Sequence, residues 1–529
     1  MGCVQSVKWI CATLCSAALL AACGSGGGGG DAPPAEAPWR RGALLQNPPT
    51  RSASLSAAAL RQRLNGSNAR DQALLLMTGE PLCGVDVHHL QYTTVGGIEE
   101  HTTASAALML PTGTDPRCSG SRPLVLYAHG TNPARRYNLA ALTDDNNPAY
   151  GESLMLAAFY AAHGYVVVAP NYAGYDSSAL GYHPFLLADQ QSKDMIDAWS
   201  AARTALPLLG GSVTAGAKLF VTGYSQGGYV ALATHRALQQ AGIPVSASAP
   251  MSGPYALAAQ TDAPFYGQVQ FGGTLFGTLL VTSYQKVYGN LYQSPGELFE
   301  PAYASGIESL LPGADAATLL SQGALPEYAL FSSTPPSAAP GSALQTVLNA
   351  NTPTHSGSSM DLVYAKGFGT PHLLTNGARL AYLEDALAHP DGALALAGDR
   401  LPATAPQHPL RLATRRNDLR GGWSPTTPML LCGGADDPTV SFPLNSRTLG
   451  SLWSGLPAGL VTVLDVDANP SSFADPFRAE KLGFAVVKAA VLADARLAGK
   501  DAELELARNY HAGLMPFCSS AARTFFDAL

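Results

Sequence analysis

A serine pinned between a strand and a helix constrains this chain more than any other feature. Gly223-Tyr224-Ser225-Gln226-Gly227-Gly228 carries the pattern G-x-S-x-G. The run before it, Ala217 to Thr222 (AKLFVT), is mostly apolar and suits a buried strand. The run after it, Tyr229 to Gln240 (YVALATHRALQQ), has apolar residues at helical spacing. A serine on such a turn is held strained, its hydroxyl exposed at the sheet's edge and its flanks small enough for substrate to approach. The helix behind it aims backbone N–H groups at any negative charge that develops there. Without partners, the same string would be a glycine-rich turn with a bystander serine.

Partners occur, and in chain order. Pro428 to Val440 (PMLLCGGADDPTV) reads as a buried strand ending in an acidic turn. Asn509-Tyr510-His511-Ala512-Gly513 reads as a loop-like break before a final amphipathic run, Pro516 to Leu529. Serine, then acid, then histidine is the order of α/β-hydrolase triads and differs from that of other serine hydrolase folds. A hydroxyl is a poor nucleophile at neutral pH. An imidazole titrating near pH ~6.5 can take its proton, and a carboxylate fixes the imidazole's tautomer.

Two aspartates adjoin in the acidic turn. Asp437 fits G-x-x-D-x-x-V through Gly434 and Val440, and Pro438 restricts the residue before it to extended geometry. Asp436 fits a tighter version of the same turn, one residue earlier. Neighbouring side chains on an extended segment point to opposite sides, so only one can face His511. Asp437 is the expected acid, which leaves Asp436 to cap the following helix or meet solvent.

The remaining frame is consistent with a mostly parallel sheet. Arg122 to Ala128 (RPLVLYA), Tyr165 to Pro170 (YVVVAP), Ile243 to Met251 and Leu460 to Val466 (LVTVLDV) are apolar runs of the kind buried on both faces. The segments between them look helical, notably Leu187 to Leu206. Val85 to Thr94 and His101 to Leu110 alternate more nearly, as an antiparallel pair at the sheet's first edge would. The strand ending at Ala128 runs into His129-Gly130-Thr131-Asn132, where an H-G-x turn supplies one oxyanion-hole N–H, from Thr131 or a neighbour. The residue after the nucleophile, Gln226, supplies the other.

Tyr127-Ala128-His129-Gly130-Thr131, Ala169-Pro170-Asn171-Tyr172-Ala173-Gly174-Tyr175, His183-Pro184-Phe185 and Gly223 to Gly228 together resemble the secreted lipases and esterases of the lipase A (secretory lipase) type. Trp423-Ser424-Pro425-x-x-Pro428 before the acidic turn, and a cysteine after the late histidine, fit the same pattern. The resemblance spans Cys83 to Leu529 except for a divergent middle. It implies an α/β-hydrolase fold, a carboxylic ester hydrolase activity, and a mainly helical cap inserted between the sixth and seventh strands. The expected organisation is a signal over 1–22, a tether over 23–50, a first core part over 51–251, the cap over 252–405 and a second core part over 406–529. Phe265, Tyr266, Phe271, Phe276, Tyr284, Tyr288, Tyr292 and Phe299 crowd the first third of the cap. They suit a cap core, and some of them an apolar acyl or aromatic pocket beneath it.

A chain of 529 residues exceeds a bare hydrolase core, and one α/β domain plus a cap accommodates it. A net charge of −7 with no basic cluster gives no sign of nucleic acid as a partner. No C-x-x-C or H-E-x-x-H occurs, so neither a metal site nor a cofactor is expected. The substrate class is an ester of small-molecule, lipid or polyester type. A serine peptidase related to prolyl oligopeptidases is the nearest alternative, because triad and fold do not distinguish ester from amide cleavage. It would want a β-propeller before the core or an acidic pair for a free amine, and neither is evident. A non-catalytic binding protein on the same fold is disfavoured by the three triad residue types in order.

The first residues read as an address. Lys8 precedes an apolar run, Trp9 to Leu20, that ends in Leu20-Ala21-Ala22-Cys23. That pattern looks like a bacterial lipoprotein signal in which Cys23 is lipidated, with Gly24 to Gly30 as a flexible tether. Met1-Gly2-Cys3-Val4-Gln5-Ser6 also fits a myristoylation pattern, but that leaves the apolar run and the glycines unexplained. The expected location is the outer membrane, periplasm or cell surface. Four cysteines remain beyond the signal and the lipid site: Cys83, Cys118, Cys432 and Cys518. An even set in an exported chain suggests two bridges with three possible pairings. Cys83–Cys118, bracketing the leading strands, with Cys432–Cys518, tying the acid's strand to the element after the histidine, is the favoured one.

Overall fold

Continuous apolar runs become the central strands of a nine-stranded sheet. The computed structural model describes residues 39–529 apart from 67–68, 356, 359 and 396–397. The signal, Cys23 and most of the tether lie outside the described residues. In chain order the strands are β1 (Thr50–Leu55), β2 (Gly84–Val95), β3 (His101–Thr112), β4 (Gly120–Ala128), β5 (Val166–Pro170), β6 (Val213–Tyr224), β7 (Ala247–Met251), β8 (Met429–Gly433) and β9 (Val461–Asp465). Their spatial order is β1-β2-β3-β5-β4-β6-β7-β8-β9. The first four are joined by antiparallel pairings, and the run from β5 to β9 is parallel. Every residue of β5, β7 and β8 is buried, as strands covered by helices on both faces must be. This is an α/β-hydrolase fold.

The strand order reverses at β4. The chain moves from β4 to β5 on one side and then crosses to β6 on the other. In open α/β sheets a crevice opens beyond the carboxyl ends of strands at such a reversal, and ligands bind there. The turn His129-Gly130-Thr131 follows β4 and Ser225 follows β6, with Ala128 and Gly223 in register as the last paired residues. Topology alone therefore brings these two turns together.

Helix Ala188–Ala205 packs on helix Gln226–Gln240, and both lie against the sheet. Helix Ala502–Asp527 packs on β7 and β8 and against Tyr150–Phe159 and Arg478–Leu497. Two disulfides fasten the chain, Cys83–Cys118 and Cys432–Cys518, which is the favoured pairing. Bridges of this kind persist in oxidising compartments outside the cytosol. Among the described residues no helix is long and apolar enough to cross a membrane.

Three boundaries differ from expectation. The leading antiparallel pair is not the sheet's edge, because β1 pairs outside β2; its sequence, TRSASL, is too polar to announce a strand and suits an exposed edge. The tether was expected to reach residue 50, yet Gly42 N–H and Leu45 N–H already donate to Thr93 O and Gln91 O at 2.8 Å, and Arg41 pairs with Asp197 at 3.0 Å. The insertion runs from the end of β7 to the start of β8. Helix Pro409–Arg416, assigned from sequence to the second core part, packs on the cap helices Leu257–Phe265 and Gly273–Tyr288. With the extra edge strand counted, the gap between the expected sixth and seventh strands is the gap between β7 and β8.

Candidate active site

Ser225 sits at the turn between β6 and helix Gln226–Gln240 with φ +60° and ψ −123°. A non-glycine residue at positive φ is strained, and only a packed surrounding holds it there. The packing is visible in the backbone. Ser225 N–H donates to Met251 O at 3.0 Å. A Cβ on either flanking glycine, Gly223 or Gly227, would run into Ala128 O. The two glycines of the motif are thus required by how closely the ends of β4 and β6 approach.

His511 and Asp437 meet, although 74 residues separate them in sequence. His511 Nδ1 lies 2.6 Å from Asp437 Oδ2. The Asp437 side chain is fully buried, while Asp436 is exposed. Asp437 Oδ1 accepts from Thr439 N–H at 2.9 Å and Val440 N–H at 3.1 Å, so the carboxylate organises its own turn. Ala435 N–H in the same turn donates to Asp465 Oδ1 at 3.0 Å, at the end of β9. On the far side of the ring, His511 Nε2 is buried and has no hydrogen-bond partner among the described residues, Ser225 Oγ included. Nucleophile–base contacts are often loose in the free state of such sites and tighten only with substrate.

The histidine is not on a loop. It lies inside helix Ala502–Asp527, which runs on through Pro516. The helix survives an internal proline because Tyr510, Leu514, Phe517, Cys518, Ala521 and Ala522 are all buried and Cys518 is bridged to β8, which outweighs the local cost of about 3 kcal/mol. Tyr224 OH, from the residue before the serine, donates to His511 O at 2.6 Å and ties the two segments together.

The turn after β4 is braced from outside the sheet. Gly130 N–H donates to Glu152 Oε1 at 3.3 Å, and the same carboxylate accepts from Tyr127 OH at 2.7 Å and Tyr137 OH at 2.5 Å. Tyr172 OH donates to His129 O at 3.1 Å and Tyr175 OH to Asn132 O at 2.5 Å. The His129 ring stacks between Tyr137 and Tyr172 at 4.4 and 4.1 Å, and burial pushes its pKa down. These tyrosines and Glu152 carry no pattern that marks them in sequence. The Y-A-G-Y string contributed only to the family resemblance.

Thr131, Ser225 and Gln226 line one cavity that is partly open to solvent. Most of its other walls come from the insertion and are apolar, including Leu257, Phe265, Phe276, Leu280 and Leu330, while Phe185, Leu186, Thr439 and Val440 close it from the core side. Of the aromatics crowding the early cap, Phe265 and Phe276 face this space, Tyr292 and Phe299 are buried against each other, and Tyr284 is buried with its hydroxyl donating to Leu186 O at 2.9 Å. Among the described residues no cluster of His, Cys, Asp or Glu could hold a metal ion.

The fold is that of the α/β-hydrolases, and the candidate site lies against the helical insertion between β7 and β8. No family model matches the chain, and no curated protein matches it. Among solved structures it is similar to the rice cell wall degrading esterase LipA of Xanthomonas oryzae, at 25 % identity over 85 % of this chain and 95 % of that one, with a TM-score of 0.60. A protein of Legionella pneumophila shares the fold at 19 % identity and a TM-score of 0.56, over 80 % of this chain and 91 % of that one. The Xanthomonas esterase is consistent with the lipase and esterase branch of the superfamily, and the Legionella protein with the fold.

Proposed function

We propose that the chain is an exported, lipid-anchored carboxylic ester hydrolase that works through an acyl-enzyme. The observation that carries the reading is the His511–Asp437 pair at 2.6 Å, with a buried Nε2 that has no partner among the described residues, in a protein whose strained Ser225 lines a mostly apolar cavity. Ser225 Oγ attacks the ester carbonyl carbon and His511 Nε2 takes its proton. Asp437 holds Nδ1–H and stabilises the imidazolium. The carbonyl oxygen gains negative charge and is met by the N–H groups of Gln226 and Thr131. His511 returns the proton to the alkoxide as the C–O bond breaks, leaving an acyl-serine. Water, deprotonated by His511, then attacks the acyl carbon, and the bond to Ser225 Oγ breaks as Oγ takes that proton back, releasing the acid. The apolar walls suit an acyl chain, and the esterase named among the structural neighbours supports ester over amide. Export is supported by the two disulfides, and the anchor by the residues up to Cys23.

The test is a panel of p-nitrophenyl esters of rising chain length beside aminoacyl-anilides, on wild type and Ser225→Ala. Ester turnover should fall to near background in the variant, by roughly 10⁶ if the serine is the nucleophile, and fluorophosphonate labelling should vanish with it. Preferred cleavage of the anilides would turn the reading to a peptidase. Persistent labelling of the alanine variant would move the nucleophile elsewhere. For the anchor, Cys23→Ser should release the protein from membranes, and a wild-type protein that retains Met1 and fractionates away from membranes would refute the lipid.

A further inference from the structure

Behind the candidate oxyanion turn runs a buried hydrogen-bonded chain that the reaction above does not use. Gln226 is 2 % exposed, and its Nε2 lies 2.7 Å from His183 Nε2. Across the ring, His183 Nδ1 lies 3.0 Å from Ala173 O. A carbonyl can only accept, so Nδ1 carries the proton. In a neutral ring Nε2 is then a bare acceptor, and the Gln226 amide must donate to it. Burial keeps the ring neutral by pushing its pKa down to about 3. This assignment also fixes the orientation of the amide, leaving Gln226 Oε1 as its buried atom without a partner among the described residues.

The chain continues away from the site. Ala173 N–H donates to Asp194 Oδ2 at 2.6 Å, and Asp194 Oδ1 accepts from Tyr92 OH at 2.7 Å. The His183 ring also packs against Tyr172 at 5.6 Å and Tyr175 at 4.7 Å. Those are the tyrosines whose hydroxyls hold His129 O and Asn132 O on either side of Gly130-Thr131. One imidazole therefore stands against the groups that position both candidate oxyanion donors.

We propose that His183 is a positioning residue for the oxyanion hole, its bare Nε2 holding the Gln226 side chain and so the Ser225–Gln226 peptide whose N–H meets the developing charge. The inference rests on the reading of Ser225 as nucleophile. Gln226 begins its helix, where no intrahelical bond holds its N–H. With His183 gone, both ends of a buried amide lack partners, and the side chain gains by turning toward the substrate cavity or water. The peptide it belongs to moves with it. His183 touches no reacting atom, so the effect falls on the transition state and not on substrate binding.

The experiment compares His183→Leu, His183→Gln, Gln226→Met and the Leu/Met double variant in the full chain, with p-nitrophenyl butyrate as substrate. A glutamine at 183 offers both an N–H and a C=O, and a leucine offers neither. Loss of a whole oxyanion donor costs about 10²–10³ in kcat, so a displaced one should cost about 10–100-fold in His183→Leu, with KM within about twofold. His183→Gln should recover most of that loss, and the double variant should be no slower than the worse single variant. Unchanged kcat in His183→Leu, a loss confined to KM, or single losses that multiply in the double variant would each overturn the inference. If the leucine variant fails to fold, histidine ¹⁵N spectra of the wild type decide. Nδ1 protonated and Nε2 bare at neutral pH supports it, and a protonated Nε2 overturns it. An active Ser225→Ala would instead remove the nucleophile reading itself, so the two failures are distinguishable.

Discussion

Strands β4 to β8 and the insertion that roofs them solve the same problem with different interactions. In the core, long-range order comes from backbone ladders between apolar strands, and two turns meet because strand order reverses beneath them. Between β7 and β8 no described strand joins the sheet, and the α-helices run from 4 residues (Pro301–Ala304) to 16 (Gly273–Tyr288). Short helices have little stability of their own. The insertion is instead stitched by buried guanidinium groups. Arg411 pairs with Asp262 and Asp385 at 2.8 Å, bringing three helices together. Arg420 pairs with Asp391 at 2.7 Å and Asp418 at 2.8 Å. Arg379, wholly buried, donates to Thr352 Oγ1 at 2.7 Å and Asn351 O at 2.8 Å, and lies against the rings of Phe331 and Phe368. The core holds the candidate triad, and the cap supplies a wall held by paired buried charge.

The sharpest way to break that comparison lies in the acid turn, where two adjacent core residues of identical chemistry should differ most. Asp437→Asn should lower kcat by roughly 10⁴ through the wrong histidine tautomer, while the exposed Asp436→Asn should change it little. Steady-state kinetics on one ester settles it. A reversed pair of effects would shift the acid by one residue and leave the mechanism standing.

The cap should fail differently, through folding and not through chemistry. Arg420→Met leaves Asp391 and Asp418 buried without their cation, and removing one partner of such a pair typically costs about 3–5 kcal/mol. Urea unfolding should register that loss, with kcat per folded molecule falling far less than in Asp437→Asn. If activity collapses while stability holds, the cap takes part in the reaction more directly than a wall does.

This contrast also decides what the sequence could reveal. Strands such as Val166–Pro170 and Met429–Gly433 are apolar throughout, so they announce themselves, and Pro438 singles out one of two aspartates by geometry. His511 was legible as a residue but not as part of a helix. Gly513 and Pro516 argue locally for a break, and only tertiary burial along Ala502–Asp527 overrides them. Thr50–Leu55 was invisible because an edge strand needs no apolar face of its own. Arg379, Arg411 and Arg420 were invisible for the opposite reason. An arginine reads as surface until the structure supplies carboxylates and carbonyls around it. His183 drew notice only within a family-like string, since nothing local shows that its ring meets Gln226.

A third test compares the two bridges, both of which lie in the core. Reduction should cost about 2–4 kcal/mol per bridge, somewhat more for Cys432–Cys518, which closes a separation of 86 residues against 35 for Cys83–Cys118. Cys432 lies in the strand that leads to Asp437, and Cys518 lies in the histidine helix. Cys432→Ala/Cys518→Ala should therefore slow turnover as well as lower Tm, whereas Cys83→Ala/Cys118→Ala should lower Tm alone. Equal effects on kcat would mean that the histidine helix keeps its register without the bridge.

The smallest expected effect sets a core histidine against a cap histidine through pH. His235 is buried between Ser248 Oγ at 2.8 Å and Thr427 Oγ1 at 3.1 Å, and burial pushes it down to about 4. His408, half-buried at the start of helix Pro409–Arg416, is also pushed to about 4 by burial. A histidine whose folded pKa lies below its unfolded value of ~6.5 contributes stability that is complete above pH ~6.5 and is lost as pH falls toward the folded value. Asp194 acts in the opposite sense. Burial raises it to about 7, so its contribution is present below pH ~3.9 and is lost as pH rises through 7. Between these limits, acidification charges the unfolded histidines and protonates folded Asp194, and each group changes stability by about 1.4 kcal/mol per pH unit. His235→Gln should thus flatten the fall in unfolding free energy between about pH 6 and pH 4.5 by nearly that slope. His408→Gln should flatten it less, because solvent screens a half-exposed ring. Asp194→Asn should steepen it. If His408→Gln matched His235→Gln, the cap seam would be as dry as the core.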